Sequence, residues 1–180
     1  SNVAIGANSL ATSDDVDNCV VIGKDACQNG DLTNAADNTI AIGHKALNDL
    51  TSGAKNTALG YKALSELQQG SSNVAIGYQS MADINHSSAS YNIAIGEATL
   101  KGAAAEQSGC VAIGHGAVNN TSAAADGLVA IGYGAMQGDL ASGADNSIGI
   151  GNAALQALTS GGGNVAIGYQ ALDGITTSAN

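Results

Sequence analysis

Proline, tryptophan, phenylalanine and arginine do not occur in this chain of 180 residues, and tyrosine occurs only five times. Without aromatic bulk the usual filling of a globular core is missing, so any packed interior has to be narrow and aliphatic. Basic charge is scarce too: five lysines face 15 acids, and the formal net charge is −10 with the three histidines neutral. That sign repels phosphate backbones and anionic lipid surfaces, which argues against nucleic acid as a partner and against docking to membranes through a basic patch. No stretch approaches the roughly 20 consecutive apolar residues of a membrane-spanning helix, so no direct membrane insertion by this segment is expected. The chain does not open with a charged segment followed by an apolar one, as a secretion leader would.

Catalytic signatures are missing as well. Glycine is abundant, with 25 residues, yet no GxGxxG follows a strand pattern and no GxxxxGK[ST], CxxC or HExxH occurs. Serine, histidine and aspartate fall in no recognisable triad, and the acids are scattered rather than clustered. No catalytic residue, cofactor or metal site is expected, and an enzymatic role is not.

What the chain does have is one motif, repeated from end to end. The copy Asn73, Val74, Ala75, Ile76, Gly77 shows it: Asn, then Val or Ile, Ala, Ile and Gly. Its glycine recurs at Gly6, Gly23, Gly43, Gly60, Gly77, Gly96, Gly114, Gly132, Gly151 and Gly168, 17 to 20 residues apart and about 18 on average. A unit this small buries its apolar face only against its neighbours, so ten of them predict an all-β parallel solenoid occupying residues 1–180 as one rod. The chain starts two residues ahead of the first Val and stops short of an eleventh copy, which reads as a piece of a longer or processed protein.

Three consecutive apolar residues in a strand put side chains on both faces. A half-buried strand alternates apolar with polar, whereas one covered on both faces does not. The reading at this point is that the Val/Ile pair fills the coil and that Ala faces another copy of the chain, its small size allowing close approach at a symmetry axis. The chain is therefore expected to be an oligomer.

After each glycine come two variable residues, a small residue and then an apolar one, such as Leu47, Leu64 or Met81. This second segment completes a two-layered coil. The length differences lie in the stretches that follow, among them Asp31 to Asp37, Ala82 to Ser90 and Ala103 to Gly109; loops that absorb insertions lie outside the stacked core and are where a partner would be recognised. Asn2, Asn56, Asn73, Asn92 and Asn164 stand four residues before glycine, with Asn18, Asn38 and Asn146 one place earlier. At a coil spacing of about 4.8 Å such residues form a hydrogen-bonded ladder.

Tyr61, Tyr78, Tyr133 and Tyr169 follow the glycine in four copies and His44 and His115 in two. Tyr61 and Tyr78 belong to consecutive units and are expected to stack. Their row either covers apolar surface at a subunit boundary or offers rings to a sugar, and the boundary role is the favoured one. His44 and His115 lack neighbours at metal-ligand spacing. Asp14, Asp15 and Asp17 are the densest acidic cluster, but they lack the glycine and distal Glu of a calcium loop; a solvated loop is the better account. His86 has no identifiable partner. Cys19, Cys27 and Cys110 are an odd number, read as small buried hydrophobes, with a Cys19–Cys27 bridge or interchain bonds as alternatives. An ice-binding face would need ranks of hydroxyls, which the motif lacks.

At Asn2 to Gly6, Asn73 to Gly77 and Asn164 to Gly168 the chain resembles the head repeats of trimeric autotransporter adhesins; similar repeats occur in phage tail-fibre proteins. The resemblance implies a left-handed parallel β-roll, a homotrimer, and an extracellular, cell-surface or virion location. It further implies attachment to a host-surface glycan or protein receptor through the variable loops. The alternative is a structural spacer, a self-assembling extracellular filament or a fibre shaft without its own ligand.

Overall fold

Each copy of the motif forms one three-residue strand. These are β1 (Val3–Ile5), β2 (Val20–Ile22), β3 (Ile40–Ile42), β4 (Thr57–Leu59), β5 (Val74–Ile76), β6 (Ile93–Ile95), β7 (Val111–Ile113), β8 (Val129–Ile131), β9 (Ile148–Ile150) and β10 (Val165–Ile167). In this computed structural model they pair in sequence order as one parallel sheet of ten strands, without a crossover. The structure describes residues 1–11, 16–30, 32, 36–84, 89–102, 107–121, 124–140 and 143–177. Coils are numbered below by their strands. Register is strict: Ala58 pairs with Ala75 and Ala75 with Ala94, so each motif position forms a column along the solenoid.

The strands are short because glycine stops them. The motif glycines have φ between 125° and 143°, a region that L side chains rarely adopt. Space enforces the same choice. A Cβ on Gly77 would fall on the carbonyl oxygen of Gly96, and one on Gly60 on that of Gly77. Beyond the glycine the chain turns sharply, with Ser80 N donating to Gly77 O at 3.4 Å.

The corner is built from left-handed residues that are mostly not glycine. Lys62 and Gln79, two places after their glycines, have φ of 54° and 53°; Leu64 and Met81, four places after, have φ of 53° and 52°. Even β-branched Val118 takes φ 51°. Each such residue costs roughly 1–2 kcal/mol. The cost is offset at the second of these positions, because the corner turns the side chain into the core. Leu47, Leu64, Met81, Leu100, Val118, Met136 and Leu155 are fully buried, which is worth about 1.5–3 kcal/mol for each large aliphatic side chain.

The strand faces are the reverse of the sequence reading. Ala41, Ala58, Ala75, Ala94, Ala112 and Ala130 are wholly buried inside the coil. The Val/Ile columns point outward, with Ile40 38%, Leu59 43%, Ile93 38% and Ile95 36% exposed. The interior is thin and already holds the corner residues together with Leu50, Leu67, Ile84 and Leu158 from the next wall. Those long side chains reach across, so most strands add only a methyl group; in coil 2, where the corner residue is the shorter Cys27, the buried Val21 fills the place. Gly149 makes the point: a Cβ there would lie 3.0 Å from Met136 Cγ, so the longer Met of coil 8 takes the space of the missing methyl.

Because the alanine column belongs to the coil itself, Ala75→Leu should lower stability by about 1–3 kcal/mol or more irrespective of protein concentration. Thermal unfolding at two concentrations checks this. A parent-like melt would show the alanine face to be open rather than packed, and a loss confined to high concentration would return the alanine to an intermolecular face.

Candidate functional site

Because the register is strict, any surface chemistry is organised as columns. The column four residues before glycine is a ladder, as its asparagines predict. Asn73 Nδ2 donates to Asn56 Oδ1 at 3.1 Å and to Ala89 O at 2.8 Å. Asn92 Nδ2 repeats this onto Asn73 Oδ1 at 3.1 Å and Gln107 O at 2.7 Å. Backbone N–H groups of Asn73 and Asn92 donate to the same oxygens of the preceding coil. Asn56, Asn73 and Asn92 are fully buried, so the ladder is structural and offers nothing to a ligand. Asn18, Asn38 and Asn146, grouped with it in the sequence, serve differently: they hold φ of 59°, 60° and 57° at the turn entering the strand.

Cys19 and Cys110 substitute for asparagine in this ladder. Cys110 N donates to Asn92 Oδ1 at 3.0 Å, and its thiol to Ala125 O at 3.3 Å. Cys19 does the same toward Asn2 and Ala36. All three cysteines are free and buried, so no Cys19–Cys27 bridge forms; the two side chains are core residues of the coil. Burial pushes the Cys27 thiol up to about 12 and the Cys110 thiol up to about 11, and raises Cys19. These thiols stay protonated at neutral pH and are inert.

A second ladder, six residues before glycine, lies at the surface and escaped the sequence reading. Asp17 N donates to Asp37 Oδ1 at 2.7 Å, Ser108 N to Asp126 Oδ1 at 2.8 Å, and Asp126 N to Asp145 Oδ1 at 2.9 Å. Ser71 N donates to Ser90 Oγ at 3.0 Å. Here the side chain reaches back to the preceding coil, opposite in sense to the asparagines. Asp17 is thereby engaged as a rung and also binds the amino terminus at 2.7 Å. Asp14, Asp15 and His86 lie outside the described residues, as do parts of the three loops named above.

The aromatic column stacks as expected and extends further. His44, Tyr61 and Tyr78 form a pile with centroids 5.4 Å and 5.0 Å apart, and His115 stacks on Tyr133 at 5.1 Å. Piled rings cover one another's faces, so the column presents mostly edges, which disfavours it as a sugar-stacking platform. Tyr169 is 74% exposed. His44 Nε2 stands 3.5 Å from Asp25 Oδ2. The Asp25 carboxyl is held below its ordinary value first by the Asn8 amide, which donates to it at 2.9 Å, with Lys24 and His44 assisting against partial burial.

Among the described residues no three His, Cys, Asp or Glu side chains are grouped to hold a metal, and no helix is long and apolar enough to cross a membrane. Comparison of the chain with protein-family models, curated proteins and solved structures finds no match. The surface features that remain as candidates are the exposed Val/Ile stripe, the loops and the polar columns beside the aromatic pile.

Asn73→Ala strips one rung of four hydrogen-bonding partners, and should cost at least about 2 kcal/mol because the partners stay buried. Urea denaturation measures it; a change below about 0.5 kcal/mol would show that the ladder carries no stability.

Proposed function

We propose that this chain is a segment of an extracellular adhesin or fibre, located on a cell surface or a virion tail. In this reading three copies assemble around one axis as left-handed β-rolls and present their variable loops to a host-surface glycan or protein receptor. Catalysis has no part in it. The observation that carries the reading is the outward Val/Ile stripe. All of its positions are apolar except Thr57, and it runs the whole length of the sheet.

At a strand spacing of about 4.8 Å and two residues per strand, the stripe covers on the order of 300–400 Å². An uncharged apolar strip of that length ranks with the largest patches that soluble proteins expose, and such patches are often functional contact surfaces. It is narrow, one pair of columns wide, which suits copies converging on an axis better than two broad faces meeting. Each copy keeps its net charge of −10 in loops and flanks, away from the stripe, so the charge opposes lateral clumping without opposing assembly. The threefold symmetry, the left hand and the adhesive role are supported by the resemblance of the Asn-Val-Ala-Ile-Gly motif to trimeric adhesin heads.

Sedimentation equilibrium should give three times the chain mass of 17.5 kDa. Ile76 pairs with Leu59 and Ile95 on the neighbouring coils, so Ile76→Glu should return the chain to monomers while preserving its far-UV spectrum. A parent that sediments as a monomer sinks the assembly. For the adhesive role, cell or receptor binding should be lost when 31–37 or 82–90 is replaced; a folded trimer that binds nothing, before or after replacement, leaves the spacer reading instead.

A further inference from the structure

Between coils 3 and 4, beside the aromatic pile, the polar columns leave a depression of about 150 Å³ lined by Lys45, Asn48, Asp49, Lys62, Ser65 and Glu66. Three columns make it. Lys45 and Lys62 are the left-handed corner residues two places after glycine, with φ of 58° and 54°. Asn48 and Ser65 lie five places after glycine, and Asp49 and Glu66 six. Asn48 and Ser65 are buried and committed: Asn48 Nδ2 donates to Asp25 O at 2.8 Å, its Oδ1 accepts from Asn29 at 2.7 Å, and Ser65 Oγ donates to Ala82 O at 3.1 Å. They form a fixed floor.

The four charged residues stand differently, although Asp49 Oδ1 already accepts from Asn29 Nδ2 at 3.1 Å. Among the described residues, the ion pairs within 4.0 Å join Ser1 to Asp17, Lys24 and His44 to Asp25, and Lys101 to Asp83. None joins Lys45 or Lys62 to Asp49 or Glu66. Two ammonium groups and two carboxylates therefore surround one small space without closing on each other. Burial pushes the Glu66 carboxyl up, with Asp83 and Asp49 adding to the rise against Lys62 and Lys101.

We propose that this depression is a subsite for one neutral saccharide residue, held by Lys45 and Lys62 as donors and Asp49 and Glu66 as acceptors. Charge balance selects that class. A phosphate or sulfate entering here meets two carboxylates, and a cation meets two ammonium groups, so each gains one pair of contacts and suffers the other. A sugar hydroxyl both donates and accepts, and neighbouring hydroxyls bridge an ammonium and a carboxylate at once. Size agrees, since the space is well under the about 300–1,000 Å³ of a drug-sized ligand site and admits one ring. Tyr61, sandwiched between His44 and Tyr78 with Lys62 Nζ over its ring 5.7 Å from the centroid, is not among the lining residues, so recognition is by hydrogen bonds rather than by stacking.

The proposal rests on the adhesin reading and sharpens it, moving one contact from the loops to the coil wall. The folded parent is titrated with the methyl glycosides of glucose, galactose, mannose and N-acetylglucosamine, and separately with methyl sialoside and sulfate, following amide chemical shifts. At least one neutral glycoside should shift the amides of residues 45–49 and 62–66, and Lys62→Gln and Glu66→Gln should each weaken it about tenfold or more. Gln79 occupies the Lys62 column at φ 53°, so Lys62→Gln keeps the corner, and an unchanged melting curve confirms it.

Preferential binding of sialoside or sulfate, strengthened by Glu66→Gln, overturns the proposal in favour of an anion site. Binding of none of the probes, or binding indifferent to both substitutions, also overturns it. Cell attachment separates the two levels. Attachment that survives both substitutions, with no glycoside bound, removes the subsite and keeps the adhesin; a Lys62-dependent glycoside on a protein to which no cell attaches keeps the subsite and removes the adhesin.

Discussion

Contact between the backbones of successive coils at the motif glycine governs the rest of this molecule. Gly77 N donates to Leu59 O and Gly96 N to Ile76 O, both at 2.8 Å, and no Cβ fits between one motif glycine and the next. That contact forces strict register, and register turns every position of the repeat into a column in which like stands on like. Each column must then be good at stacking on itself. Asparagine amides hydrogen-bond to their own kind, aromatic rings pile, leucines pack. Even carboxylates manage it: Asp37 stacks over Asp17 and Asp145 over Asp126 because each takes a backbone N–H from the coil it leans on, a charge-assisted bond that offsets like-charge proximity.

The period, the parallel strands and the ladder were legible in the sequence, because Ile-Gly and the asparagines recur at constant distance from one another. The orientation of the strand was not. Bulk is a sound guide to the inside of a globular core, but here Leu64, Met81 and Leu67 already fill a thin interior, and complementarity across the coil decides which strand residues face it. The corner leucines were recognised as apolar, yet nothing in their identity announces a left-handed backbone; packing imposes it on Leu and on Val118 alike. The outer ladder was hidden by a choice of origin. Asp17, Asp37, Ser71, Ser90, Ser108, Asp126 and Asp145 all lie six residues before the next glycine, a regularity visible only when loops are aligned to the glycine that follows them.

The charged depression was out of reach for a related reason. Lys45 and Lys62, and Asp49 and Glu66, are unremarkable as separate residues on a polar segment. They converge because the corner and the following turn bring columns two and six places after glycine to one wall, and only the coil geometry supplies that proximity. The surface thus divides by chemistry: an outward apolar stripe along the sheet, a buried amide ladder for the coil itself, and mixed charge on the flank.

The direction of the bonds between coils has a mechanical meaning. The strand hydrogen bonds, both side-chain ladders and the aromatic pile all run along the stacking direction, so a pull along the rod loads them in tension rather than in shear. Bonds loaded that way open in turn, a coil at a time, and a single chain would peel from one end under modest force. Several chains held side by side by their stripes would share that load, since peeling one coil would then also require separating it from its neighbours. Lateral association would in this way convert a stack of thin coils into a cable.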